Sequence, residues 1–80
     1  MDKQALRNKL IAENIPHDTY SLNGGLPYDK YCLSQNNGLW EVYYSERGGK
    51  FKLKTFTSEK NACEYFYKWL IDRLKFDGII

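Results

Sequence analysis

Few residues in this chain have side chains that run chemistry, and their spacing limits what they can do. His17 is the only histidine, and Asp18 follows it. In an extended segment, adjacent side chains point to opposite faces, so this pair need not cooperate. A single histidine also leaves no complete Ser-His-Asp or Cys-His arrangement. No catalytic residue is assigned, and the chain reads as non-enzymatic. His17 reads as a capping or surface residue after Pro16. Cys32 and Cys63 read as free, buried, apolar thiols of a reducing cytoplasm. With His17 they cannot build a metal cluster, so no metal or cofactor is expected. The glycine-rich runs SLNGGLP and SERGGKF lack a terminal Gly-Lys-Ser/Thr and a following helix. Their glycines read as turn residues that supply positive φ.

Binding chemistry is better represented. Seven Tyr, four Phe and two Trp exceed what a minimal core needs, so some rings are expected at the surface. The ribbon WEVYYSERGGKFKLKTF, residues 40–56, is both aromatic and charged. Exposed Tyr with Arg and carboxylates is the composition of an interface. Tyr28, Asp29, Glu41, Tyr43, Glu46 and Arg47 form the candidate partner-binding set. Lys50, Lys52 and Lys54 recur every second residue and form a candidate nucleic-acid contact. Lysines on a solvent-facing strand are also a device against edge-to-edge pairing.

The elements that position these residues follow from periodicity. Residues 2–14 read as a helix with Asp2 at its N-terminus, a stripe on Leu6 and Leu10, and Pro16 preventing continuation. Strand-like runs follow at 18–23, 28–35, 39–46 and 50–56. Asn23-Gly24-Gly25-Leu26-Pro27 and Asn36-Asn37-Gly38 mark turns between them. Tyr31 and Leu33 share one face, with Cys32 opposite. Trp40, Val42 and Tyr44 share one face, with Leu39, Glu41 and Tyr43 opposite. Phe51 and Leu53 share one face, with the three lysines opposite. Short turns imply an antiparallel meander. Residues 57–76 read as a second helix, capped by Thr57 or Ser58, with a stripe of Ala62, Cys63, Phe66, Trp69, Leu70 and Leu74. The short tail 77–80 receives no element. The expected fold is one α+β domain over residues 1–80: N-terminal helix, four-stranded antiparallel meander, C-terminal helix, with both helices on one sheet face.

A single small domain is what 80 residues allow. The net charge of +2 argues against a partner held by bulk charge alone. No apolar run approaches a membrane span, and no signal-peptide pattern follows the first Met, so a cytoplasmic protein without membrane contact is expected.

Two resemblances bear on function. Helix, antiparallel strands, helix resembles the element order of the double-stranded RNA-binding domain and implies a small RNA-binding domain as the alternative. That family carries a lysine cluster at the start of its last helix. Here SEKNACEY holds Glu59 and Glu64 against Lys60. The run of residues 20–70, through WEVYYSERG, the Lys-rich strand after it and SEKNACEYFYKWL, resembles small bacterial immunity proteins of polymorphic or contact-dependent growth-inhibition toxin systems. That resemblance implies a non-enzymatic cytoplasmic protein that binds one cognate toxin domain, often a nuclease, and blocks its active site or substrate approach. Carboxylates such as Asp29, Glu41 and Glu46 would meet basic residues of the toxin, and tyrosines would supply contact area. Many inhibitors of basic nucleases are acidic. At +2, this chain restricts any acidic contact to a local patch.

Overall fold

The computed structural model describes all 80 residues. In chain order they form α1 (Lys3–Ala12), a 3-10 turn (His17–Thr19), β1 (Tyr20–Ser21), β2 (Lys30–Asn36), β3 (Leu39–Glu46), β4 (Gly49–Phe56) and α2 (Glu59–Phe76). The fold is α+β, with two helices and one four-stranded sheet in the order β1-β2-β3-β4.

Both helices start where a side chain can accept an orphan backbone N–H. The Asp2 carboxylate accepts from the Ala5 N–H at 2.8 Å, and the Ser58 hydroxyl accepts from the Asn61 N–H at 3.2 Å. Of the two candidate caps for the second helix, the structure uses Ser58. The Lys3 N–H donates to the Glu59 carboxylate at 2.9 Å, so the first turn of α2 also caps α1. Residue Asn14 adopts φ 57 beyond the end of α1, a conformation asparagine tolerates well. Residues 77–80 close α2. Gly78 has φ 74, the Ile79 N–H donates to the Leu74 carbonyl at 2.9 Å, and the Gly78 N–H to the Lys75 carbonyl at 3.1 Å. This is the paired closure that glycine permits after a helix.

The buried side chains form one cluster. Leu6 and Leu10 of α1 meet Ala62, Cys63, Phe66, Leu70 and Leu74 of α2, and Leu33, Trp40 and Val42 of the sheet. Helix α2 lies against β2, β3 and β4, while α1 lies against α2. Trp69, which the stripe places in the core, is only half-buried.

The sheet departs from the expected meander in two places. First, β1 pairs with β2 in parallel, so the sheet is mixed. The expected strand 18–23 shrinks to two residues, because Thr19 closes a tight turn by donating its N–H and hydroxyl to the Pro16 carbonyl at 3.1 and 2.6 Å. The chain then runs beside β2 rather than reversing. Leu22 turns into the core, and residues 24–27 fold as a strap over the sheet face opposite α2. The Tyr43 hydroxyl donates to the Gly25 carbonyl at 2.7 Å, and the Ser45 hydroxyl to the Pro27 carbonyl at 2.7 Å. Gly24, at φ +68, fits because it has no side chain: a Cβ there would stand 2.7 Å from the Ser34 hydroxyl oxygen.

Second, β4 is bulged. Two-residue turns, Asn37-Gly38 and Arg47-Gly48, all with positive φ, join β2 to β3 and β3 to β4. Positive φ at both positions matches the twist of paired strands. The register then breaks: Tyr44 pairs with Phe51, but Val42 pairs with Lys54. Lys52 and Leu53 both oppose Tyr43, and Lys52 takes φ 60. One extra residue changes which face each later side chain occupies.

Candidate partner-binding surface

The bulge and the strap decide which of the expected contact residues are available. Tyr43 is not. Its relative exposure is 0%, its ring lies beneath the Lys50 ammonium at 4.8 Å, and its hydroxyl is held by the strap. The expected open outer face is therefore covered over β2 and β3, and Tyr43 is a packing residue. Burial pushes its phenol up to about 12, with the nearby Cys32 and Glu41 adding to the effect. Glu41 sits on the same face and is engaged by Lys50 at 2.9 Å.

The lysines do not form one row. Lys50 stands opposite Ser45 on the strap-covered face. Lys54 stands opposite Val42 on the helix-facing side, with its ammonium over the Tyr65 ring of α2 at 5.2 Å. Lys52 occupies the bulge itself. The expected alternation, with Phe51 and Leu53 on one face and three lysines opposite, is overturned by that single extra residue.

The other four members of the candidate set come together. Lys30 pairs with Ser45, so the residues before Lys30 and those after Ser45 lie at one end of the sheet. Tyr28 there is 79% exposed, and Asp29 and Arg47 are exposed, each at positive φ. Glu46 is half-buried at the same end. Asp29, Glu46 and Arg47 take part in none of the five ion pairs of the chain.

Beside this end, a groove of about 740 Å³ opens between α2 and β3–β4. Its walls include Tyr31, Tyr44, Phe51 and Trp69, and its charged lining is Glu46, Lys52, Arg73 and Asp77. Tyr31 meets Tyr44 edge to face at 4.7 Å between ring centres, and Trp69 likewise at 4.8 Å. Such contacts hold aromatic rings in fixed orientations. The phenol of Tyr44 is raised, first by burial and then by the carboxylates of Asp29, Glu46 and Asp77. Phe51 remains 47% exposed on the edge strand β4.

Sequence periodicity missed this groove because it put Trp69 in the core stripe. One signal was present. Tyr65, Trp69, Arg73 and Asp77 recur every four residues along one side of the second helix, mixing rings and charges where a pure core stripe would be apolar.

His17 lies in a separate depression of about 300 Å³ with Arg7 and Tyr20, its ring 6.3 Å from that of Tyr20. Both cysteines are buried and unpaired, and burial pushes each thiol up to about 11, away from the nucleophilic thiolate. No group of three or more His, Cys, Asp or Glu is placed to hold a metal ion. No helix is long and apolar enough to cross a membrane. Comparison with protein-family models, curated proteins and solved structures found no match.

Proposed function

We propose that this domain acts by binding another protein, as a non-enzymatic immunity protein of the bacterial cytoplasm. It neutralises a cognate toxin domain, with a nuclease as the favoured class, by covering the active site or the approach of substrate. The observation that carries the protein-binding reading is the cluster at one sheet end: exposed Tyr28 with the unpaired charges of Asp29, Glu46 and Arg47, next to a groove walled by rings. Aromatic anchors inside a polar rim are what protein interfaces concentrate. The toxin setting rests on the resemblance of residues 20–70 to immunity proteins. The RNA-binding alternative has weaker support, because Lys50 and Lys54 are engaged by Glu41 and the Tyr65 ring rather than presented together.

The test is coexpression of this chain with the toxin domain encoded in the neighbouring reading frame. A stable complex and rescued growth are expected, with both weakened in the Tyr28→Ala/Glu46→Gln double variant. Absence of a toxin domain there, or growth arrest despite expression of this chain, overturns the immunity assignment.

A further inference from the structure

The depression beside β1 is charged with one sign only. We infer that it binds a phosphate dianion, free or carried by a small molecule, between Arg7 and Lys30. This site goes beyond the protein-binding reading and does not depend on it: none of Tyr28, Asp29, Glu46 and Arg47 lines it.

Charge selects an anion. Arg7 of α1 and Lys30 at the start of β2 line the depression together with His17. Both cations are half-buried, neither takes part in an ion pair, and neither stands over an aromatic ring. Partly desolvated charge without a partner is unfavourable, and a bound counter-charge relieves it. No carboxylate lines the depression. Asp18 and Asp29 are chain neighbours of His17 and Lys30, but neither is in the lining. Burial and then Asp29 raise the Tyr44 phenol, which belongs to the groove beside α2. The Tyr20 phenol in the wall of the depression is raised by burial and drawn down by Arg7, and no carboxylate acts on it. A further cation stands at the rim. The Lys3 ammonium donates to Asn23 Oδ1 at 3.0 Å and is also outside the ion pairs. With that oxygen taken, the Asn23 amide nitrogen is left to donate. The Ser21 hydroxyl is already committed to the Gly24 carbonyl at 3.2 Å.

The amount of charge selects the dianion. A carboxylate or a phosphodiester brings one negative charge and leaves one of the two lining cations uncompensated. A terminal phosphate brings about two and balances Arg7 and Lys30 together. Its oxygens also suit the guanidinium fork, the ammonium and the Asn23 amide at once. At about 300 Å³, the depression has room for a small phosphorylated molecule.

The test titrates the full chain at about pH 8, where a phosphate carries nearly two charges. The probes are inorganic phosphate, ribose 5-phosphate, dimethyl phosphate and acetate, each balanced with sodium chloride to constant ionic strength. The readout is the ring C–H signals of His17, the only histidine, by NMR, with the Trp69 indole signal as the control in the separate groove. Inorganic phosphate is expected to shift the His17 signals saturably and leave Trp69 unmoved. Dimethyl phosphate and acetate should bind about fivefold more weakly or worse, and Arg7→Gln and Lys30→Gln should each weaken phosphate by a similar factor. Unchanged Trp40 and Trp69 signals show that a variant keeps the fold. If Arg7→Gln disturbs α1, Lys30→Gln at the end of β2 carries the comparison. Tighter binding of ribose 5-phosphate than of inorganic phosphate identifies a phosphorylated small molecule as the ligand, and equal binding identifies the free anion. Absence of saturation, equal binding of dimethyl phosphate, or undiminished phosphate binding in folded Lys30→Gln overturns the site. The protein-binding reading stands in each of those cases, because its contact residues lie elsewhere.

Discussion

Tyr43 separates stability from binding in this fold. Its hydroxyl ties the strap to the sheet, and its ring is wholly buried. Tyr43→Phe keeps the ring and removes the donor, so a loss of about 1 kcal/mol is expected in urea unfolding. Tyr43→Ala also opens a cavity and should cost roughly 3–5 kcal/mol. Neither change touches the proposed contact residues, so partner affinity measured on folded Tyr43→Phe should be unchanged. A large affinity loss there would return Tyr43 to the interface. The same burial sets an alkaline limit. Cys32 and Cys63 are raised from 9.0 to about 11, and Tyr43 from 10.0 to about 12. A raised folded pKa means that the unfolded chain releases its proton first as pH rises. The stabilising contribution is thus fully present below pH 9, falls through the thiol window of about 9 to 11, and falls further as the phenol window of about 10 to 12 opens. Thermal midpoints should fall from pH 9 upward, and less steeply in a Cys32→Ala/Cys63→Ala variant. Equal slopes in the two proteins would show that the thiols are not responsible.

At the level of elements, the strap and the bulge carry the departures from a simple hairpin sheet, and each depends on one backbone position. Gly24→Ala adds a Cβ 2.7 Å from the Ser34 oxygen at φ +68. A loss of about 2 kcal/mol is expected, since strain and a clash with the sheet act together. Lys52→Gly is the opposite case. A lysine at φ 60 bears the left-handed cost that glycine does not. Stability should rise by about 0.5 kcal/mol, and protection of the flanking β3–β4 amides from hydrogen exchange should hold or increase. A loss of stability would mean that the lysine stem contributes more by packing than its backbone costs. The helices were legible in the sequence because cap, stripe and stop signals agree at Asp2, Ser58 and Pro16. The Asn37-Gly38 turn was legible for its tolerance of positive φ. The bulge was not, because Lys52 is a residue type that nothing marks for that conformation. The parallel pairing of β1 was not either: the Gly24-Gly25 signal says that the chain turns, but not that the strap then folds across the sheet onto Tyr43 and Ser45.

Across the whole molecule, charge is interleaved rather than segregated. Lys9, Lys50, Lys68 and Arg73 each pair with a carboxylate, and these pairs are spread over both helices and the β3–β4 ribbon. Exposed pairs of this kind add little stability, but they remove the basic stripe that a nucleic-acid surface needs. The placement of Tyr28, Asp29, Glu46 and Arg47 at one sheet end was readable from the sequence, since all four flank turns and turns sit at the surface. The groove beside it was not, because it needs Trp69 of α2 to stand partly out of the core, beside Phe51 where that strand residue pairs with Tyr44. That arrangement separates the two functional readings in one measurement. A labelled RNA duplex titrated with the full chain at about physiological salt should bind more weakly than roughly 10⁻⁴ M, near or below the non-specific range. Replacing Lys50, Lys52 and Lys54 together by glutamine should change that baseline little, because two of the three ammonium groups are already engaged within the fold. Micromolar binding that falls steeply with salt, and is lost in the triple variant, would place an RNA backbone along β4 and displace the protein partner from this account.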